Sequence, residues 1–370
     1  MVRYGSGTSR RSAGSELRDA RGTPSDFGPI LSVMRQRFFA ALAFVLALTA
    51  CSKDPDLVVY CSLDQQFSEE LIQRFARESG LEVRAEFDIE ANKNVGLATR
   101  IREEAASRPR CDVFWSNECA QVVAMGEDGL LASYDSPSAK EIPAEFRDPE
   151  HRWTGFAARA RVFIVNTKLA DPSQIRSMWD LFDPRWKGQV ALARPLAGMT
   201  NTHFTALYLA LGEKEARRYV ETAAKHAADG SLNLATGNAH VMRLVRDGQA
   251  AFGWTDTDDF NVALDAGFPV AAVYPDRDGV GTLLIPNTVC ILKSAPHADA
   301  AKRFVDWVLR PEIEAELARS SAAQIPVRAS VPRPAHVVGA DGFTAMKVDW
   351  REVGRTVKQR TAEFQELFLK

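Results

Sequence analysis

Residues 57–87 read LVVYCSLDQQFSEELIQRFARESGLEVRAEF, and the fold class follows from this stretch. Leu57-Val58-Val59-Tyr60 is an unbroken apolar run bounded by polar residues. Such a run predicts a strand covered on both faces, as in a parallel sheet. Phe67, Leu71, Ile72, Phe75 and Ala76 then recur at the spacing of one helix face. Gly80 marks the helix end, because glycine enters the left-handed conformation without a Cβ penalty. Leu81, Val83, Ala85 and Phe87 alternate with polar residues as in a second strand. Strand, helix and strand in this order define an α/β unit.

The pattern continues outward. Residues 95–106 are helical in period and 112–115 form another buried strand. Residues 133–153 are rich in Pro, Ser and charge and connect rather than pack. A second α/β unit occupies about residues 158–275. Its strands are predicted at 156–165, 189–193 and 250–254, and its helices at 198–211, 213–226 and 238–247. A strand at 282–292, a helix at 298–309, a turn at Gln324-Ile325-Pro326 and a terminal helix from Val348 complete the chain.

The chain has 370 residues, 46% hydrophobic and 25% charged, which is globular composition and long enough for two domains. A net charge of -2 leaves no basic footprint for nucleic acid. At the N-terminus Arg35 and Arg37 precede an apolar run, 38–48, and then Leu48-Thr49-Ala50-Cys51. A basic segment, a short apolar core and small residues before a cut describe a secretory signal peptide. The Leu-Thr-Ala-Cys sequence also resembles the lipobox of bacterial lipoproteins, which implies lipidation of Cys51 and a membrane anchor facing the periplasm. Residues 1–50 are therefore read as an N-terminal extension and signal, outside the folded body.

An exported chain permits disulfides, and Cys61, Cys111, Cys119 and Cys290 allow three full pairings. Cys61 and Cys119 each follow strands expected to be neighbours at one sheet edge, so these two are expected to lie close enough for a bridge. No cysteine has the spacing of a structural metal site. Hydrolase, zincin, P-loop and dinucleotide signatures are also missing, so the chain is not read as an enzyme.

The order of these segments resembles the type II periplasmic solute-binding proteins, and among them the ferric-ion-binding branch. The residues that carry the resemblance are Leu57-Val58-Val59-Tyr60, Asp112-Val113-Phe114-Trp115-Ser116, Arg159-Ala160-Arg161 within 153–168, and Pro184, Trp186 and Lys187 within 181–188. The segments 298–309 and 324–327 complete the set. The resemblance covers about residues 57–330. It implies an α/β, two-lobed type II periplasmic binding protein fold with a hinge and a central ligand cleft. Lobe 1 would hold 52–157 plus about 280–325, and lobe 2 would hold 158–279 plus about 326–370. It further implies the substrate-binding lipoprotein of an ABC-type importer, acting as a monomer with a permease partner in the inner membrane. The expected cargo is ferric ion with a synergistic anion, iron being cargo rather than cofactor. Two other readings stay open: a small organic anion such as an aminophosphonate or carboxylate, and a carrier or sensor of an apolar molecule.

Ligands of open α/β sheets bind beyond the carboxyl ends of strands, which selects the candidate site residues. Asp64 and Gln65 follow the first strand, and Asn117 and Glu118 the third. The iron-binding branch offers a Glu near the latter place, so Glu118 is an expected metal ligand. Arg159 and Arg161 alternate on one strand and share a face suited to an anion. Gly198 and Thr200 open a helix whose free N–H groups attract anions, and Asn238 opens another. Asp256 and Thr257 occupy the place of the branch's paired tyrosines, in a run Thr255-Asp256-Thr257-Asp258-Asp259 that offers hard oxygen donors. Asp256 is the second expected metal ligand.

Overall fold

The apolar run at the start of the folded body is β1 (Leu57–Cys61), with all five residues buried. Leu57, Val59 and Cys61 enter one hydrophobic cluster, and Val58 and Tyr60 enter another. Both faces are covered, which is why the run carries no polar alternation. β2 (Val83–Phe87) and β3 (Val113–Ser116) pair parallel with β1 on its two sides. The crossovers between them are α1 (Gln65–Ser79) and α2 (Val95–Ala105). α1 buries Leu71, Ile72 and Phe75 and ends at Gly80 with φ 70°, the left-handed cap anticipated from its sequence. This computed structural model describes residues 54–88, 95–339 and 341–369; the export segment and Cys51 lie outside them.

The long β4 (Thr154–Asn166) is buried along all 13 residues and serves two groups of strands. Residues 154–160 pair antiparallel with β9 (Leu284–Ile291), which also pairs antiparallel with β3. Residues 161–166 pair with β7 (Phe252–Asp256) and β8 (Val270–Val273). β5 (Val190–Ala193) lies parallel to β7 and to β6 (Asn233–Ala235). The path is β2-β1-β3-β9-β4-β7-β5-β6, with β8 beside β4. β4 thus changes partners between Ala160 and Arg161.

Each strand of the second group feeds a helix. α4 (Gly198–Leu211) follows β5, α6 (Asn238–Arg246) follows β6 and α7 (Thr257–Asp265) follows β7. Because β5, β6 and β7 are mutually parallel, the three helix N-termini open at one carboxyl edge. α5 (Glu213–Ala228) packs beside α4. α8 (Ala298–Val308) and α9 (Pro311–Arg319) follow β9. The terminal helix α10 (Trp350–Phe368) lies against α3 (Ala120–Glu127), α4 and α5. Gly354 lets α10 approach closely, since a Cβ there would stand 2.6 Å from Val123 Cβ.

Three helices, α3, α7 and α9, escape the periodicity reading. α3 buries nearly every side chain, so it has no polar face to set a 3.6-residue period. α9 begins at Pro311, a residue equally suited to a turn or to the first helical position.

The expected Cys61–Cys119 bridge is not formed. Cys61, Cys111, Cys119 and Cys290 are buried free thiols. β1 and β3 are neighbours as expected, with Cys61 opposite Trp115. Cys119 comes after the chain has left β3 and packs in the cluster on the other face of the sheet from Cys61. No helix among the described residues is long and apolar enough to cross a membrane.

Candidate functional site

A cavity of about 90 Å³ sits at the carboxyl edge where β4 changes partners. Its lining includes Asp64, Asn117, Arg159, Arg194, Gly198, Thr200, Asn238, Asp256, Asp258 and Asp259. A second cavity of about 410 Å³ shares Asp64, Ala239, Asp258 and Asp259 with the first, and adds the start of α1, Asp88, Met242 and Arg243. The α4, α6 and α7 N-termini converge on the inner cavity, and none carries a side-chain cap bond. The Asp259 N–H donates to the Asp258 side chain at 2.9 Å, and the His240 N–H to the Gly237 carbonyl at 3.1 Å. Apart from these two, their first-turn N–H groups present partial positive charge. Gly198, at φ 59°, brings the α4 backbone to the wall in a conformation that a side chain would strain.

The acidic wall is built by the turn from β7 into α7. Carboxylate oxygens of Asp256, Asp258 and Asp259 lie within 4.8 Å of one another. Each is tied in place. Asp256 accepts from Arg161 through one oxygen and from Asn238 Nδ2 at 2.5 Å through the other. Asp258 accepts from Arg159 at 3.0 Å, and Asp259 from Thr255 Oγ1 at 2.9 Å. A carboxylate has about four lone-pair positions, so these bonds still leave sites for a cation. Burial raises the Asp256 carboxyl above its ordinary range, and Arg161 pulls it partly back.

Arg159 is the hub of the site. It is 2% exposed and donates to Asp258 on α7, to the Asn117 carbonyl at the end of β3, and to Asn287 Oδ1 on β9 at 3.1 Å. Burial opposes its charge, but Asp258 and Asp256 beside it hold the guanidinium above its ordinary range. Arg161 is fully buried behind the wall and also donates to Thr200 Oγ1 at 3.3 Å. Thr200 in turn donates to Asn238 Oδ1 at 3.0 Å.

Of the residues selected from sequence, Asp64, Asn117, Arg159, Gly198, Thr200, Asn238 and Asp256 line the inner cavity. Gln65 lines the outer cavity and bonds Glu69. Three are placed elsewhere. Arg161 supports Asp256 from behind. Thr257 accepts from the Ala160 backbone at 3.2 Å. Glu118, expected as a metal ligand, is not brought to the acidic wall. Its oxygens accept from the Ala120 and Gln121 N–H groups at 2.6 and 3.1 Å and from Thr202 at 2.8 Å. It therefore caps α3, and burial raises its carboxyl above the ordinary range. The sequence reading passed over Arg194 and Asn287 as individual residues. Arg194 directly follows β5 at the carboxyl edge that carries the cavity, and that position was its only signal.

The solved structures most usefully compared with this fold include iron-bound HitA from Pseudomonas aeruginosa. It is 21% identical, with TM-score 0.75 over 84% of this chain and 98% of that one. The ferric binding protein from Campylobacter jejuni is 23% identical, with TM-score 0.73 over 84% and 99%. The fold is therefore the two-lobed periplasmic binding protein fold. Residues 70–345 match the bacterial extracellular solute-binding protein family, and the chain belongs to it. Relatives include the iron uptake protein A1 of Synechocystis, 24% identical over 86% of this chain and 92% of its own length. The Fe(3+)-binding periplasmic protein of Serratia marcescens is 23% identical over 88% and 93%.

Proposed function

We propose that this protein is the substrate-binding component of an ABC-type importer and captures ferric ion between its lobes, without catalysing a reaction. One observation carries the reading: three carboxylates gathered within 4.8 Å on a cavity wall, in a chain whose relatives include iron-binding proteins. Carboxylate oxygen suits a hard cation, and among the described residues the inner cavity is lined by no thiol or imidazole, the buried Met199 thioether being its one sulfur. Arg159 and Arg161 act as built-in counter-cations, paired with Asp258 and Asp256, that offset part of the repulsion within the acidic wall. The lobes are divided at β4 and β9, and hinge motion there opens and closes the cleft.

The same reading places the body as a monomer in the periplasm, held by lipid at Cys51 and delivering cargo to a permease. A Cys51→Ser variant is expected in the soluble fraction or unprocessed; unchanged membrane fractionation would remove the anchor from the proposal. The central test is iron stoichiometry by native mass spectrometry. One iron per chain in wild type, and loss of it in Asp258→Ala, is the expected result. A wild-type protein that retains no iron from any ferric source overturns the reading.

A further inference from the structure

We infer that Asn287 is the positioning residue that couples the acidic wall to the hinge, passing a displacement of Arg159 to Ala157 and Gln324. The inference takes the wall as the ligand site, as proposed above, and adds the route by which occupancy reaches the lobes.

Three chain segments run along the proposed division between the lobes: β4, β9 and residues 323–327. They meet at Asn287, which is fully buried on β9. Its Oδ1 accepts from Arg159 Nη2 at 3.1 Å. Its Nδ2 donates to the Ala157 carbonyl on β4 and to Gln324 Oε1 at 2.7 Å. Arg159 can only donate and the Ala157 carbonyl can only accept, so the amide has one orientation. The same resonance that flattens a peptide bond makes Oδ1 and Nδ2 move as one body. Glu314 of α9 closes the other side. Its Oε1 accepts from the Ala157 N–H at 2.9 Å and the Val327 N–H at 2.7 Å. Ala158 and Ile325 exchange backbone bonds of 2.7 and 2.8 Å beside it.

This knot is an element with a second arrangement. The β4–β9 register shifts between Phe156 and Ala158, and Ala157, the residue between them, has φ 43°. Ala323 has φ 47°. A left-handed backbone is disfavoured for alanine, because its Cβ crowds the carbonyl. Gln324 is fully buried, and its Nε2 has no hydrogen-bond partner. Strain and an unpaired donor favour departure from this arrangement, while the bonds of Asn287 and Glu314 oppose it.

Arg159 supplies the input. Its Nη1 donates to Asp258 on the wall, and its Nη2 to the Asn117 carbonyl and Asn287. A cation taken up by Asp258 competes with Nη1 for the same carboxylate and repels the guanidinium. The displaced charge moves against Asn287, and the rigid amide carries that motion to Ala157 and Gln324. Arg161 has no such route: its side chain bonds Asp256 and Thr200.

Amide hydrogen exchange, read by mass spectrometry on the peptide spanning 320–327, tests the relay. In ligand-free protein, Asp258→Asn removes the charge that holds Arg159 to the wall. Exchange in 320–327 is expected to change at least about fivefold. An unchanged rate overturns the inference, and this comparison needs no variant inside the knot. Asn287→Ala should abolish the response to Asp258→Asn. So should Asn287→Asp, which keeps the acceptor for Arg159 and loses both donors. Circular dichroism checks that each variant folds, and a response that survives in either folded variant overturns the relay.

Loading with ferric nitrilotriacetate separates this inference from the ferric reading. Iron-loaded wild type should show the exchange change, and folded Asn287→Ala should retain iron without showing it. Wild type that retains iron with unchanged exchange overturns the relay alone. Loss of iron from folded Asn287→Ala also overturns it, because the residue would then serve the wall itself. Wild type that retains no iron overturns the ferric reading alone, and the ligand-free comparison still decides the relay.

Discussion

Arg161 and Asp256 are register partners across the antiparallel β4–β7 pair, and their side chains form an ion pair with exposures of 0% and 4%. One strand thus presents the carboxylate to the cavity, and its neighbour supplies the counter-charge from behind. Removing one partner of a buried pair strands the other charge, which costs about 3–5 kcal/mol. Asp256→Ala is therefore expected to lose stability on that scale in urea unfolding as well as ferric affinity. Asp259→Asn should separate the two effects: stability within about 0.5 kcal/mol of wild type, but ferric affinity at least tenfold lower, about 1.4 kcal/mol. Equal ferric affinity in Asp259→Asn would remove that residue from the site.

Acid should release the metal earlier than an ordinary carboxylate site would. Burial raises the Asp256 carboxyl above the usual aspartate value of 3.8, and metal binding requires the ionised form. Affinity is therefore expected to weaken as the pH falls through the window above 3.8. Comparing wild type with Asp256→Asn at each pH cancels protonation of any chelator. The difference between them should shrink as the pH falls, and a constant difference from pH 7 to pH 4 would contradict the assignment.

Glu118 gives a stability prediction of definite sign. Burial raises its carboxyl in the fold, so the folded state favours the proton more than the unfolded chain does. That contribution is complete below the unfolded value and is lost as the pH rises through the folded one. Glu118→Gln stays neutral throughout and keeps one of the two oxygens that accept from the α3 N–H groups. Relative to wild type, the variant should gain stability between pH 4 and pH 8. Thermal unfolding across that range checks it, and a relative loss at the higher pH would refute the sign.

The α10–α3 contact depends on Gly354. A Cβ there would stand 2.6 Å from Val123 Cβ and 2.9 Å from the Ala124 backbone nitrogen. Gly354→Val is expected to destabilise the protein by about 1–3 kcal/mol through overpacking, measured as a lower urea midpoint. A smaller partner, Val123→Ala, should recover part of that loss.

The cysteines should behave as inert thiols. All four are buried, and burial pushes Cys61 and Cys290 up to about 12. In protein expressed from residue 52, a thiol reagent at pH 8 should label none of the four while the fold is intact and all four after denaturation. Fewer than four after denaturation without reductant would reveal a disulfide.

The α/β class, most elements and the sheet edge that carries the inner cavity were legible in the sequence, because these depend on local pattern. Leu57-Val58-Val59-Tyr60 reads as a strand wherever it packs, since only a twice-covered strand tolerates such a run. Gly80 ends α1 for a reason internal to its own backbone. The carboxyl edge also follows from element order, so Asp64, Asn117, Gly198, Asn238 and Asp256 could be selected as one group before any contact was known.

Tertiary structure decided which member of each polar pair faces the cavity. Glu118 and Asn117 are adjacent in sequence, yet one caps α3 and the other lines the cavity. Arg159 and Arg161 share a strand face, yet β4 changes partners between them, so Arg159 lines the cavity and Arg161 supports Asp256 from behind. Cys61 and Cys119 follow adjacent strands but enter opposite faces of the sheet. Each outcome depends on where a chain leaves its strand and what waits for it 42 to 170 residues away, as in the Arg159–Asn117 and Glu118–Thr288 contacts. Local periodicity carries no record of such distant partners. They are set only when the sheet closes and every buried donor and charge has to find its match.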